Sequence, residues 1–355
     1  MSIYKMPNRF MFSGRSHVPL NSVQTALRDA IQDKLDKGYY KLEDCHCLCG
    51  ADDDVIIAGT DRYGFAINTV ICRSCGILRI DPRPSRGVLK EFYSREYQDL
   101  YWDAEPENIS DHFRAQVTGG VYMKDFIKGH LNISGFRGKT VMEIGCSAGG
   151  ILLPFLEDGA DVRGYDYNKS YLEYGRSINR GLDLRHGGID EVKNTGERFD
   201  FLIMNHVLEH LVDPKEAVQT AFNLLKDGGI LYLSVPSIKN ANYYKSHDKS
   251  YLGSLHIAHL YHFSRNALMS IMDNFEPIFV DEKVRGIFKR SPGKKAEKFP
   301  REYDSNIRFI LWRENSVSGL ISRKFDVFLY GHYFYTRLLR AFKFLPKRWL
   351  SRFTF

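Results

Sequence analysis

Histidine and cysteine are unevenly spread along this 355-residue chain, and their clusters are where chemistry could reside. Cys45-His46-Cys47-Leu48-Cys49 and Cys72-Arg73-Ser74-Cys75 have the close spacing that thiolate metal ligands use. His206-Val207-Leu208-Glu209-His210 and the set His256, His259 and His262 bring together imidazoles, the side chains best matched to proton transfer near neutral pH. A third group is Glu143, Gly145, Gly149 and Asp166. Glycines let a backbone approach a ligand closely, and an acid about 20 residues further on can accept hydrogen bonds from ribose hydroxyls.

These residues need elements to hold them. Lys139 to Ile144 reads as a strand running into the turn Gly145-Cys-Ser-Ala-Gly149-Gly150, with an apolar helix over Ile151 to Leu156. A second strand, Asp161 to Asp166, ends on an acid, and the whole is the unit that cradles a nucleoside in an open α/β sheet. Ser147 stands where a dinucleotide fingerprint has a middle glycine, and no Gly-Lys-Ser/Thr of a P-loop follows. Two carboxylates at the strand ends suit a cationic nucleoside with an amino-acid tail. Further strands are expected at Leu182 to Arg185, Phe201 to Met204 and Ile230 to Val235, and a closing antiparallel pair at Pro277 to Val280 and Ile307 to Trp312. Between that pair the basic run Lys289 to Lys298 reads as a solvated loop. Asp213 is expected to cap a helix over Lys215 to Leu225 that stops at Gly228, and Ser264 one over Asn266 to Asp273. Ser110 to His130 has the periodicity of a bridging helix.

In order along the chain, Glu143-Ile-Gly-Cys-Ser-Ala-Gly149, Gly164-Tyr-Asp166, Phe199 to His210 and Leu225 to Pro236 resemble the motifs of class I S-adenosylmethionine-dependent methyltransferases. The resemblance covers roughly Lys139 to Trp312 and implies a Rossmann-like α/β fold with a seven-stranded sheet. It implies that Glu143, Gly145 and Gly149 line the methionine and ribose side and that Asp166 holds the ribose. Ile189 and Asp190 flank the adenine, and Asn205 and His206 lie beneath the methyl group. His206, His210, His259 and His262 are then the candidate catalytic bases, against a bland reading in which Glu209 and His210 only bond internally.

The two cysteine knuckles, joined by a turn and a strand, read as a zinc ribbon at about 41–84. Cys47, Cys49, Cys72 and Cys75 are the favoured ligands, with Cys45 or His46 as substitutes in the irregular first knuckle. Cys146 reads as a small buried residue. The ribbon, the turn Asp81-Pro-Arg-Pro84 and the helix ending Glu91-Phe-Tyr-Ser-Arg-Glu-Tyr97 resemble the N-terminal region of bacterial sugar-modifying methyltransferases in surface-polysaccharide and deoxysugar pathways. That resemblance implies a sugar or nucleotide-sugar hydroxyl as acceptor. The expected organisation is an N-terminal region with the zinc ribbon (1–104), a helical bridge (105–138), the methyltransferase domain (139–315) and a basic, aromatic tail (316–355).

Net charge is +7, and Ile321 to Phe355 carries the whole excess, which removes a general argument for nucleic acid. The tail's apolar spacing implies an amphipathic helix. Such a helix either covers the protein's own surface or docks on an anionic membrane or a glycan-assembly complex. The chain shows no signal-peptide pattern and no apolar run of about 18 residues, so a cytoplasmic location, with peripheral membrane contact through the tail, is the expectation. An RNA methyltransferase and a non-catalytic binding module are the rival readings. Asn205-His206-Val207, in place of the Asn/Asp-Pro-Pro-Tyr found in many base-methylating enzymes, argues against RNA.

Overall fold

The computed structural model describes residue 6 and residues 8–102, 106–239 and 250–315. It opens with helix α1 (Ser22–Asp36), whose first turn is closed by a capping box: Asn21 accepts the Gln24 amide and Gln24 accepts that of Asn21. Strands β1 (Leu42–Glu43), β2 (Asp54–Ala58), β3 (Thr69–Cys72), β4 (Leu78–Ile80) and β5 (Arg83–Pro84) follow. Helices α2 (Arg86–Arg95), α3 (Tyr97–Trp102) and α4 (Pro106–Leu131) lead into an alternating run. It comprises β6 (Thr140–Ile144), α5 (Leu153–Glu157), β7 (Asp161–Asp166), α6 (Lys169–Ile178), β8 (Asp183–His186), α7 (Ile189–Val192), β9 (Phe199–Asn205), α8 (Pro214–Leu224) and β10 (Leu225–Ser234). The last elements are β11 (Tyr261–His262), α9 (Arg265–Met269), β12 (Phe275–Val280), β13 (Arg285–Arg290) and α10 (Tyr303–Asn315).

The central sheet has seven strands among the described residues, in the order β12-β13-β10-β9-β6-β7-β8. The run from β10 to β8 is parallel, and β13 and β12 close the edge antiparallel. Its inner strands β6, β9 and β10 bury apolar residues on both faces, as a sheet covered on both sides requires. Met142, Ile144, Leu202 and Met204 enter one core, while Val141, Phe201 and Ile203 enter the other. Chain order reverses between β6 and β9, the switch point beyond which open α/β sheets bind ligands.

A second sheet has the order β11-β4-β3-β2, so the two-residue strand after the histidine set completes the cysteine-bearing sheet. Tyr261 pairs with Arg79 and His262 with Leu78. The N-terminal region and the segment after residue 138 thus share a sheet and a core, which holds Phe65, Phe92, Met204 and Phe263 together.

Local punctuation behaves as expected at two caps: Asp213 accepts the Glu216 amide and Ser264 the Ala267 amide. The expected strand at Ile307 to Trp312 is instead the middle of α10. Ile307 and Ile310, three apart, are its buried face, and α10 packs on β3 rather than in the main sheet. The partner of β12 is β13, so Lys289 and Arg290 belong to a strand and not to the basic loop. Gly228 does not stop a helix. The helix ends at Leu224, and Gly228 (φ +71°) turns the chain inside an irregular start of β10. The expected tail over 316–355 lies outside the described residues.

Candidate active site

A cavity of about 1790 Å³ opens beyond the carboxyl ends of β6, β7 and β9. That is more than one small ligand fills, since single-ligand pockets run to about 1,000 Å³. Glu143, Gly145, Asp166, Ile189, Asp190 and Asn205 line it, as does His206.

The glycine turn owes its shape to close packing. Gly145 has φ +72°, and a Cβ there would meet Val207 at 2.7 Å. Gly149 does not line the cavity: a Cβ there would strike Leu184 of β8 at 2.7 Å, so its smallness serves packing and not ligand approach. Ser147 adopts φ +51°, and its amide donates to Asp166 Oδ2 at 2.8 Å. The Asn168 amide donates to Oδ1 at 2.8 Å, so both Asp166 oxygens are oriented before any ligand arrives. Cys146 is fully buried, in the space that Gly164 leaves open.

Three positions were not foreseen. His112 and Gln116 of α4 hold the turn from outside, with His112 Nε2 at 3.2 Å from Ser147 Oγ and Gln116 Nε2 donating to the Cys146 carbonyl at 3.1 Å. Gly175 of α6 lets the helix touch the turn, since a Cβ there would sit 2.0 Å from the Ala148 carbonyl oxygen. The one local hint was the glycine pair Gly119-Gly120, where α4 meets Ile151.

Glu143 is 1% exposed, and its Oε2 has no hydrogen-bond partner among the described residues. Burial raises its pKa well above the ordinary carboxylate range, and the neighbouring Asp166 adds to this. Burial likewise raises Asp166, against the amides that bond it. Asp190 is drawn into surface ion pairs with Arg86 of α2 (3.0 Å) and Lys193 (3.3 Å), which bring the N-terminal region over the cavity's edge. Glu191 beside it is pushed up by burial but held down to about 2 by Lys90, the Gly188 amide and Tyr167.

The histidines converge from two segments. His206 directly follows β9 in the left-handed region (φ +56°), a strained conformation for a non-glycine residue. Its Nδ1 lies 3.3 Å from Glu209 Oε1, and Nε2 of His210 and of His259 each lie 3.9 Å from that same oxygen. His206, His210, His256 and His259 line the cavity, whereas His262 on β11 does not and packs behind His259, 5.5 Å between ring centroids. His262 thus departs from the catalytic expectation: it is buried and does not reach the cavity. Burial keeps His210, His256 and His259 below the ordinary histidine pKa and His262 down at about 4. Against them packs an aromatic wall: Tyr101 Oη lies 2.5 Å from His256 Nδ1, Tyr97 and Tyr101 stack at 4.4 Å between centroids, Tyr63 leans on Tyr101 at 5.1 Å, and the Arg62 guanidinium lies over both Tyr63 and Tyr101.

Away from the cavity wall, the Sγ atoms of Cys47, Cys49, Cys72 and Cys75 all lie within 4.8 Å of one another. The Cys47–Cys75 and Cys49–Cys72 separations are 3.5 and 3.7 Å. Thiolates tetrahedrally placed around an ion at about 2.3 Å stand about 3.8 Å apart, so the donor set and its spacing fit a structural metal. The substitutes point elsewhere, Cys45 Sγ to the Ile80 carbonyl and His46 to Asp52.

Residues 118–276 match the family described as "Methyltransferase domain". The chain is 30% identical over 124 residues to a ubiquinone biosynthesis O-methyltransferase of a Ruegeria species, covering 34% of this chain and 48% of the relative. A Roseobacter denitrificans protein of the same name is 30% identical over 151 residues, covering 41% and 57%. The chain thus spans about half the length of these relatives. Among solved structures, a Synechocystis magnesium protoporphyrin IX methyltransferase with bound SAH superposes with a TM-score of 0.42 at 13% identity, over 58% of this chain and 100% of that one. The segment bearing the glycine turn, Asp166 and the Asn205–His210 motif therefore matches a methyltransferase domain.

Proposed function

We propose that the protein transfers a methyl group from S-adenosylmethionine to a hydroxyl of a small-molecule acceptor, a sugar or nucleotide sugar. The observation that carries this is Glu143: a buried carboxylate with an unpartnered oxygen, beside Asp166, at the switch point of a domain that matches the methyltransferase family. A cationic ligand compensates such a carboxylate, and a sulfonium with an ammonium tail is one. Glu143 and Gly145 face the methionine and ribose side, Asp166 the ribose, Ile189 and Asp190 the adenine, and Asn205 and His206 the methyl group.

Methyl transfer is an in-line displacement. The acceptor oxygen forms the new O–C bond as the S–C bond breaks, its electron pair stays on sulfur to give a thioether, and the hydroxyl proton must leave. An imidazole among His206, His210 and His259 is near enough to the cavity to receive it, and the cavity walls hold the reactants in line. The O-methyltransferase names of the curated relatives support oxygen as the methylated atom. For the acceptor, Arg62 supports a nucleotide sugar. It places a cation in the cavity wall, held by the Gly253 carbonyl and the Tyr63 hydroxyl, which favours an anionic acceptor, and the tyrosine faces beside it suit a sugar ring.

The cysteine group holds zinc, which fixes the N-terminal sheet that carries β11 and thereby the histidine segment. A soluble, cytoplasmic protein whose tail makes any membrane or glycan-complex contact completes the proposal. Incubation with S-adenosylmethionine and panels of nucleotide sugars, glycans and phenols, read by mass spectrometry for a gain of one CH2, tests it. Modification of a nucleotide sugar is the expected result, and modification of phenols alone overturns the acceptor class.

A further inference from the structure

The cluster around Glu209 has more donors than an acid–base site needs and lacks the hydrogen bonds that would explain it. Glu209 is fully buried, and neither carboxylate oxygen has a hydrogen-bond partner among the described residues. An uncompensated buried carboxylate is costly, by several kcal/mol after relaxation. Around its Oε1 stand ring nitrogens of His206, His210 and His259 at 3.3, 3.9 and 3.9 Å.

The His210 ring fixes the sense of that contact. Its Nδ1 lies 2.7 Å from the Ala258 carbonyl oxygen and 2.8 Å from the Tyr93 hydroxyl, which itself donates to that carbonyl at 3.2 Å; since the carbonyl can only accept, the arrangement that avoids two facing lone pairs has the proton on Nδ1. Nε2 of the neutral ring then turns a bare lone pair towards Glu209 Oε1. At 3.9 Å the two are too far apart for a hydrogen bond, yet within the about 4.2 Å that two ligands at about 2.1 Å from one ion can span. Donation of the second ring N–H to a backbone carbonyl is the usual outer support of a metal-bound histidine. His259 Nδ1 is also buried and without a partner. Glu209, His210 and His259 can each present a ligand atom within 4.8 Å of the others.

We infer that Glu209, His210 and His259, with His206 as a fourth donor, form a site for a divalent first-row transition metal ion, distinct from the four-cysteine group. Imidazole-rich sets with one carboxylate suit zinc, cobalt or iron rather than magnesium or calcium. The histidines line the cavity while Glu209 lies behind them, so a further coordination position faces the space where an acceptor sits. There the ion would lower the pKa of a coordinated acceptor hydroxyl, whose proton would leave to solvent as the acceptor binds; in that case the ligating imidazoles hold the ion and are not themselves the base. That role rests on the methyl-transfer reading; the metal site itself does not.

The test uses the full chain as purified, with neither S-adenosylmethionine nor acceptor, dialysed against Co²⁺ and then against metal-free buffer. X-ray absorption at the cobalt edge is expected to show a nitrogen and oxygen shell with imidazole scattering. Glu209→Gln and His259→Gln, checked for folding by circular dichroism, should weaken Co²⁺ binding by about 10- to 100-fold or more, the range that loss of even an outer-shell partner produces. A sulfur-only shell, no retained cobalt, or unchanged affinity in a folded Glu209→Gln variant overturns the site. Should both variants misfold, the absorption spectrum of the unaltered protein still decides. Failure to bind S-adenosylmethionine would count against the proposed function and leave this result untouched.

Discussion

Asp61 Oδ2 accepts the backbone amide of Ile257 at 2.9 Å, across 196 positions of sequence. Its Oδ1 accepts the Tyr63 and Phe65 amides, so one buried carboxylate ties the turn of the N-terminal sheet to the loop between His256 and His259. Asp61→Ala strands three buried donors and should destabilise the fold by about 3 kcal/mol, since each unsatisfied donor costs about 1–3 kcal/mol with partial relief by water. Thermal unfolding checks this, and an unchanged melting temperature would refute the tie.

The glycine turn depends on Gly175 as much as on its own glycines. Gly175→Ala pushes a Cβ into the Ala148 carbonyl and should cost about 1–3 kcal/mol by overpacking, with weaker cofactor binding. Gly129→Ala, on the same kind of helical backbone but with open space around it, should instead stabilise by up to about 1 kcal/mol. Chemical denaturation of both variants reads the contrast, and equal effects would show that helix propensity alone matters.

Glu191 should give stability a signature at acid pH. Its folded pKa of about 2 lies below the ordinary 4.5, so its contribution is complete above pH 4.5 and drains away as pH falls towards 2. The stability gap between the unaltered protein and Glu191→Gln, measured by urea unfolding at several pH values, should therefore be present at pH 6 and shrink below 4.5. The residue is about a third exposed, so the gap is small. A gap independent of pH would mean that the Lys90 pair does not hold the carboxyl down.

Cys75→Ser should remove one zinc equivalent per chain and loosen more than the N-terminal region. Because β4 carries β11, limited proteolysis should reveal new cleavage around residues 250–265 as well as in the cysteine segment. Elemental analysis that finds the zinc content unchanged would exclude the four-cysteine site, and cleavage confined to the N-terminal segment would show the two regions to be independent.

Where structure follows from neighbours in sequence, it was legible. The strand Asp161–Asp166, the caps at Asp213 and Ser264 and the grouping of Cys47 and Cys49 with Cys72 and Cys75 rest on short-range patterns. The run Ile307 to Trp312 misled because a short apolar stretch rich in aromatics looks alike as strand or helix. Gly149 looked like a ligand-facing glycine because the residue that needs it small, Leu184, is remote in sequence. The meeting of His259 with Glu209 was hidden for the same reason, as was the grip of His112 and Gln116 on the turn.

The central claim is that the cavity over Glu143 and Asp166 binds S-adenosylmethionine, and titration calorimetry in buffers of differing ionisation enthalpy tests it most directly. Burial holds both carboxyls above their ordinary pKa, so a cationic ligand that favours their ionised forms should expel protons, and affinity should rise with pH above the ordinary carboxylate range. The account predicts one site per chain, net proton release, and a loss of about 2–4 kcal/mol in Asp166→Ala, as expected from charge-assisted hydrogen bonds of about 1.5–3 kcal/mol each. No binding by the folded chain, or an affinity that Asp166→Ala leaves unchanged, would contradict it.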